Sequence, residues 1–292
     1  MHYAERIFRP PYEANTVLLQ ATVGCSHHRC RFCNSYTDVK FRVEPMSQIE
    51  EDLQELKTNL PNTDRIFLLN ADAFVLSFDK LKELALKIRQ YLPKCETISM
   101  MARVTNVKNK SVEELLELRA LGINDLYIGA ESGDDETLAK ANKGFTSADT
   151  LEQLKKLEAA NISYLLFYMI GLAGAGNCEK NALATAKLFN QLKPAAISIP
   201  SLTIFQDAKI YDDVLAGDFV ESSELERTRE LQTFIQNLDI DTMLLSHHVT
   251  VNTPIVGKMP AEKGRMLAEL QNVIDNFDEE KHRNRRTKIT SM

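Results

Sequence analysis

A chain of 292 residues, 44% of them hydrophobic, holds enough apolar material for one large domain or two ordinary ones. Its 35 basic and 41 acidic side chains give a formal charge of −6, which argues against a general nucleic-acid binder of the usual basic kind. No run reaches the roughly 18 apolar residues of a membrane span, and MHYAERIFRP lacks the apolar core of a secretory leader, so a cytoplasmic protein is expected.

A short apolar run followed by an amphipathic stretch recurs about six times. The runs are TVLLQATV (16–23), RIFLLNA (65–71), TISMMARV (97–104), DLYIGAE (125–131), ISYLLFYMIG (162–171) and AAISIPSLTI (195–204). Most are nearly continuous in apolar residues, as strands buried on both faces are. Helix patterns separate them. SQIE (47–50) reads as a capping box before Ile49, Leu53 and Leu56. Phe78, Leu81, Leu84, Ala85 and Ile88 share one helical face. SVEE (111–114) is a second capping box, with Gly122 as the stop. Further helices are expected over 147–160 and 179–192.

Strict alternation predicts parallel strands with right-handed crossovers, in an open doubly wound sheet or a full or partial barrel. In either, chemistry gathers at the C-terminal ends of the strands. Those ends are GC (24–25), NAD (70–72), Arg103, GAESG (129–133) and GLAGAG (171–176). After about 204 the alternation stops. Residues 205–292 are expected to be a mostly helical extension packed on a core of residues 1–204. SELERTRELQTFIQNL and AEKGRMLAELQNVIDNF are its helices, LLSHHVTVNTPIVGKMP a joining loop, and KHRNRRTK (281–288) a solvated tail.

Three of the five cysteines, Cys25, Cys30 and Cys33, fall within nine residues, in GCSHHRCRFCNSY. In a reducing compartment such a cluster reads as metal-binding or catalytic rather than as a disulfide framework. Two metal readings are open. One is a structural zinc site with His27 or His28 as the fourth ligand, in a scaffold protein. The other is an iron–sulfur cluster held by three cysteines, with one iron left to bind something else. Such a cluster could also serve an electron carrier. Cys95 and Cys178 read as plain small residues.

The loop resembles the cluster motif of the radical S-adenosylmethionine (SAM) superfamily. The usual spacing is C-x3-C-x2-C with an aromatic before the last cysteine. Here Phe32 is that aromatic, and the first gap is one residue longer, giving C-x4-C-x2-C. The stretch FRPPYEANTVLLQATVGCSHHRCRFCNSY is similar to a group of short radical SAM proteins with this spacing. GAESGDDETLAKANKGFT (129–146) is similar to the Elp3- and MiaB-like part of the superfamily.

This resemblance implies a partial (β/α)6 barrel of the TIM type. It implies a [4Fe–4S] cluster on Cys25, Cys30 and Cys33, whose open iron binds SAM. The residues carried over for SAM are the backbone around Phe32 for adenine, and Asn70 and Asp72 for the ammonium. Glu131 and Ser132 answer to the ribose, Arg103 and Lys143 to the carboxylate, and the turn at Gly171 to close backbone approach. Blander roles stand beside these: a core aromatic for Phe32, a loop cap for Asp72, and a structural pairing of Glu131 and Ser132 with a nearby arginine. The implied activity is that of an oxidoreductase-type enzyme. It cleaves SAM reductively to methionine and a 5′-deoxyadenosyl radical, which abstracts hydrogen from a substrate. A small molecule, a tetrapyrrole or another metabolite, is preferred as substrate, and a flavodoxin or ferredoxin is expected as electron donor. Neither a membrane nor a nucleic acid is an expected partner. His27, His28, His247 and His248 receive no assigned role.

Overall fold

The structure, a computed structural model, describes residues 1–289. A 3-10 turn at Pro11–Glu13 precedes β1 (Val17–Gln20), β2 (Thr22–Val23), β3 (Arg42–Val43) and α1 (Met46–Asn59). Then come β4 (Arg65–Leu69), α2 (Phe78–Tyr91), β5 (Thr97–Ala102), α3 (Val104–Lys108), α4 (Val112–Ala120) and β6 (Ile123–Glu131). The chain continues with α5 (Asp135–Lys140), α6 (Ser147–Ala159), β7 (Tyr164–Tyr168), α7 (Cys178–Phe189) and β8 (Ala196–Ser198). It ends with α8 (Ile210–Ala216), α9 (Glu224–Asn237), β9 (Thr242–Ser246), β10 (Ile255–Met259), α10 (Lys263–Asp275) and α11 (Glu279–Arg286).

All six expected strands form, and the helices between them lie where the periodicity puts them. Local chemistry explains most boundaries. Ser111 caps α4 and Glu114 completes the capping box. Gly122 ends α4 at φ +98°, where an added Cβ would stand 2.9 Å from the Glu96 carbonyl oxygen, so only glycine fits without strain. The start of α1 differs from expectation. Its N-cap is Pro45, and Ser47 lies inside the first turn. The extended proline already presents its carbonyl to the N–H groups of Gln48 and Ile49, so the helix begins before the serine.

The chain divides into two compact units. The first comprises residues 1–28, 35–128 and 152–164. Here β1, β4, β5 and β6 run parallel in that order, from Val17 opposite Ile66 to Ala102 opposite Ile128. Ile66, Phe67, Leu68 and Leu69 are fully buried, and Leu53, Leu84 and Ile88 of the covering helices are nearly so. Glu13 is also fully buried and ties the N-terminal arm to the strands. It accepts hydrogen bonds from Arg65, Ser99 and Tyr127. A short antiparallel pairing of β2 with β3 closes the base of the loop that carries the cysteines.

The second unit comprises residues 29–34, 129–151 and the chain from Leu165. In it β7, β8 and β9 run parallel, and β10 returns antiparallel to β9. The expected loop LLSHHVTVNTPIVGKMP therefore contains the end of β9 and all of β10, joined by a shorter loop. The alternating burial of β9, with Thr242, Leu244 and Ser246 inside and Met243 outside, is a period-two signal diluted by polar residues. Tyr168, Phe189 and Phe234 meet in an aromatic cluster with centroids 4.6–6.5 Å apart, where α7 packs on α9. The expected solvated tail is helical as far as Arg286 and mostly exposed, as expected, with Arg286 as the exception. Arg286, 3% exposed, pairs with Glu224 at 2.5 Å and Glu221 at 2.8 Å. A buried countercharge has made a core residue of a basic one.

Candidate metal and cofactor site

Cys25, Asn70, Asp72 and Arg103 belong to the first unit. Gly24 opens the cysteine loop at φ +75°, directly after β2. Cys25 follows, and the backbone N–H groups of His27 and His28 turn toward its sulfur; His28 is itself left-handed at φ +47°. Burial pushes the Cys25 thiol above its ordinary range. The Asp72 carboxylate adds to this, while those N–H groups and the Arg103 charge oppose it.

Asp72 stands just past the end of β4 and is fully buried. It accepts the Ser26 N–H at 3.1 Å and the Ser26 hydroxyl. Burial raises its carboxyl above the usual range, against the two bonds from Ser26. Ser26 thus joins the strand-end turn to the cysteine loop. Sequence reading missed it, although its place beside Cys25 was the available signal. Asn70 accepts the Tyr36 hydroxyl at 3.1 Å and is held by Thr22 on its other groups. Arg103 ends β5 and caps α3, its N–H donating to the Asn106 side chain at 2.7 Å.

Below this turn lies Lys110, 3% exposed. Its ammonium donates to the carbonyls of Phe74 and Asn106 and sits 4.5 Å from the Phe74 ring centroid. It links the segment after Asp72 to the helix that follows Arg103. Burial brings its pKa down to about 8.

Cys30, Phe32, Cys33, Glu131, Ser132, Lys143 and Gly171 belong to the second unit. Phe32 is 8% exposed and packs with Ala141, Leu172, Phe205, Ala208 and Ile210; Cys30 and Cys33 lie against the same cluster. Lys143 is placed 5.6 Å from the Phe32 ring centroid and 3.2 Å from Glu131. Glu131 therefore pairs with a lysine rather than an arginine, and two of the residues singled out for SAM bond each other. Glu131 sits at φ +64°, and its carbonyl accepts the Met169 N–H.

The Ser132 hydroxyl donates to Asn181 at 2.5 Å and accepts the Asp134 N–H. Asn181 in turn donates to Glu230. That fully buried carboxylate also receives Tyr168 OH and the Gly171 N–H, each at 2.7 Å. Gly171 is left-handed at φ +82°, and an added Cβ would lie 2.9 Å from the Arg227 guanidinium carbon. The close approach at this glycine is made by Arg227.

The cysteines divide by exposure. Cys25, Cys30 and Cys33 are part-exposed, Cys95 and Cys178 are buried, and no disulfide joins any of them. Burial raises the Cys95 thiol to about 11 and Cys178 higher still, which makes both inert. Among the described residues no three Cys, His, Asp or Glu side chains converge closely enough to hold a metal ion as they stand. His248 Nδ1 lies 2.8 Å from the Thr250 hydroxyl and accepts the Thr250 N–H.

A model of the radical SAM superfamily matches residues 19–183, more than half of the chain. The chain belongs to the radical SAM superfamily. The matched range contains all three loop cysteines and every residue singled out for SAM. The superfamily is one of enzymes that use a [4Fe–4S] cluster and SAM. Among curated proteins, the heme chaperone HemW of Bacillus subtilis is 27% identical over 157 residues, covering 51% of this chain and 41% of that one. A tRNA-2-methylthio-N(6)-dimethylallyladenosine synthase of Janthinobacterium is 27% identical over 192 residues, covering 62% and 41%. The chain thus spans less than half the length of either relative.

Among solved structures, the radical SAM methyltransferase TsrM of Kitasatospora setae carries bound cobalamin and a [4Fe–4S] cluster. It superposes with a TM-score of 0.57 at 15% identity, over 69% of this chain and 37% of its own. The likeness establishes the fold class as the superfamily's partial TIM-like barrel. No helix among the described residues is long and apolar enough to cross a membrane.

Proposed function

We propose that this chain is a radical SAM enzyme in which Cys25, Cys30 and Cys33 hold three irons of a [4Fe–4S] cluster. One observation carries the reading. Of five cysteines, only the three in the family motif are part-exposed, and they share one loop after a strand. The donor chemistry supports it, because soft thiolates suit an iron–sulfur group and three of them leave one iron open.

When bound and reduced, the cluster supplies the electron that splits SAM into methionine and a 5′-deoxyadenosyl radical, which takes hydrogen from the substrate. The chain's own residues bind and orient. Asp72, held by Ser26, and Asn70, held by Tyr36 and Thr22, offer negative charge and acceptors to the SAM ammonium. Arg103 and Lys143 answer its carboxylate, and Glu131 and Ser132 its ribose. The backbone around Phe32 would lie along the adenine. A flavodoxin or ferredoxin supplies the electron.

The substrate is a small molecule. Likeness to a heme chaperone, at 27% identity, supports a tetrapyrrole. Haemin titration of the reconstituted protein reads this directly: a saturable Soret shift is expected, and an unchanged spectrum removes the tetrapyrrole. The reaction class is tested anaerobically. About four irons and four sulfides per chain, and 5′-deoxyadenosine on adding dithionite and SAM, are expected, with both lost in Cys30→Ala. Zinc without iron would turn the loop into a structural site. A cluster that never cleaves SAM would make the chain an electron carrier.

A further inference from the structure

The segment from Phe205 to Asp213 has no role in the readings above, yet it surrounds one part of the cysteine loop. Arg31 lies between Cys30 and Cys33. Its carbonyl accepts the Ile210 N–H at 2.8 Å, and its own N–H donates to Ala141 at 3.0 Å. Its guanidinium forks onto Asp213, with Nε 2.5 Å from Oδ2 and Nη2 bonded to Oδ1. Nη2 also reaches the Lys209 carbonyl at 3.5 Å. Asn34 donates to Asp207 at 3.1 Å, and Phe32 packs on Phe205, Ala208 and Ile210. Backbone, side chain and apolar surface of one nine-residue segment thus engage Arg31, Phe32 and Asn34, the residues interleaved with two of the three thiols.

We propose that residues 205–213 are a clamp that holds the Cys30–Cys33 turn in shape for its metal group, with the Arg31–Asp213 pair as the latch. Arg31 and Asp213 are positioning residues: they touch neither SAM nor the reacting atoms, and act through the turn that carries the thiols. The physical argument is one of order. A metal loop released between ligands loses the group faster, because each thiolate that lets go must be brought back against chain entropy. A forked arginine–carboxylate bond restrains direction as well as distance, which a lysine or a single hydrogen bond does not. The pair is partly open to water, with side chains 35% and 21% exposed. It can therefore be cut without opening the core.

The inference rests on the cluster assignment above, and its test separates the two. Wild type, Asp213→Asn and Asp213→Glu are reconstituted anaerobically, and iron loss to an excess of chelator is followed by absorbance. Asp213→Asn keeps size and loses the charge-assisted fork; iron loss about fivefold faster than wild type is expected, a modest figure suited to a partly exposed pair. Unfolding midpoints should match. Asp213→Glu should recover most of the retention. Equal iron-loss rates for wild type and Asp213→Asn overturn the clamp while leaving the cluster intact.

A wild type that takes up zinc or no metal overturns the cluster assignment instead. The clamp is then read in the metal-free protein. Hydrogen exchange of a peptide covering residues 29–34 should quicken in Asp213→Asn, and an unchanged rate overturns it.

Discussion

Replacing Glu13 by glutamine tests the reasoning about buried charge most sharply. The carboxylate is fully buried, and every partner it has donates. Oε1 accepts from Arg65 Nη2 at 2.6 Å, Tyr127 OH at 2.7 Å and Ser99 Oγ at 2.8 Å. Oε2 accepts from Thr16 Oγ1 at 2.5 Å and Arg65 Nε at 3.1 Å. Burial alone would raise its pKa, but the Arg65, Thr16, Tyr127 and Ser99 bonds outweigh burial and bring it down to about 2. From 4.5 to about 2 is worth about 3 kcal/mol at ~1.4 kcal/mol per unit.

The folded pKa lies below the unfolded one, so this stability is fully present above pH 4.5 and is lost as pH falls toward 2. Glutamine keeps the shape but turns an NH2 group toward donors on one side, and it cannot answer the Arg65 charge. Urea unfolding of the metal-free chain at pH 7 should show Glu13→Gln less stable by about 3 kcal/mol. The difference should shrink as pH falls from 5 toward 2. A loss under about 1 kcal/mol, or a difference that ignores pH in that window, would refute the account of Glu13 as an ionised hub.

Lys110 carries the opposite sign. Its folded pKa of about 8 lies below the ordinary lysine value of 10.5, so the unfolded chain holds more protons between those values, and stability should rise with pH across that window. Urea midpoints should show this rise in wild type and its absence in Lys110→Met. Phe234, fully buried between Tyr168 and Phe189, should cost about 3–5 kcal/mol on truncation to alanine, read as a shift of the urea midpoint with unchanged slope.

Much of the candidate site was legible because its signals are local. Cys25, Cys30 and Cys33 announce soft ligation by spacing alone. Asn70, Arg103, Glu131 and Gly171 stand out by one rule, that chemistry gathers where parallel strands end, and their roles toward SAM are what the family resemblance implies. Ser111 with Glu114 was readable as a cap because both partners lie within one turn. Ser47 misled for the same reason: the pattern was present, but Pro45 started the helix first. The strands β9 and β10 were missed because their alternation mixes threonine, serine and glycine into the buried pattern.

By itself the sequence determined the alternation of strand and helix, the cysteine motif and the family. Each of these is written in periodicity or in residues a few positions apart, where backbone geometry leaves few choices. Only the tertiary structure decided which distant groups meet. Arg31 finds Asp213 across 182 positions, Glu13 finds Tyr127 across 114, and Arg286 finds Glu224 across 62. Nothing in the chain marks Arg31 or Asp213 as different from other charged side chains. For Glu13 and Arg286 the selecting factor is burial, which removes water as a competing partner and leaves each charge to be answered by whichever opposite group the packing brings within reach; Arg31 and Asp213, partly open to water, meet because residues 205–213 pack on the turn between Cys30 and Cys33.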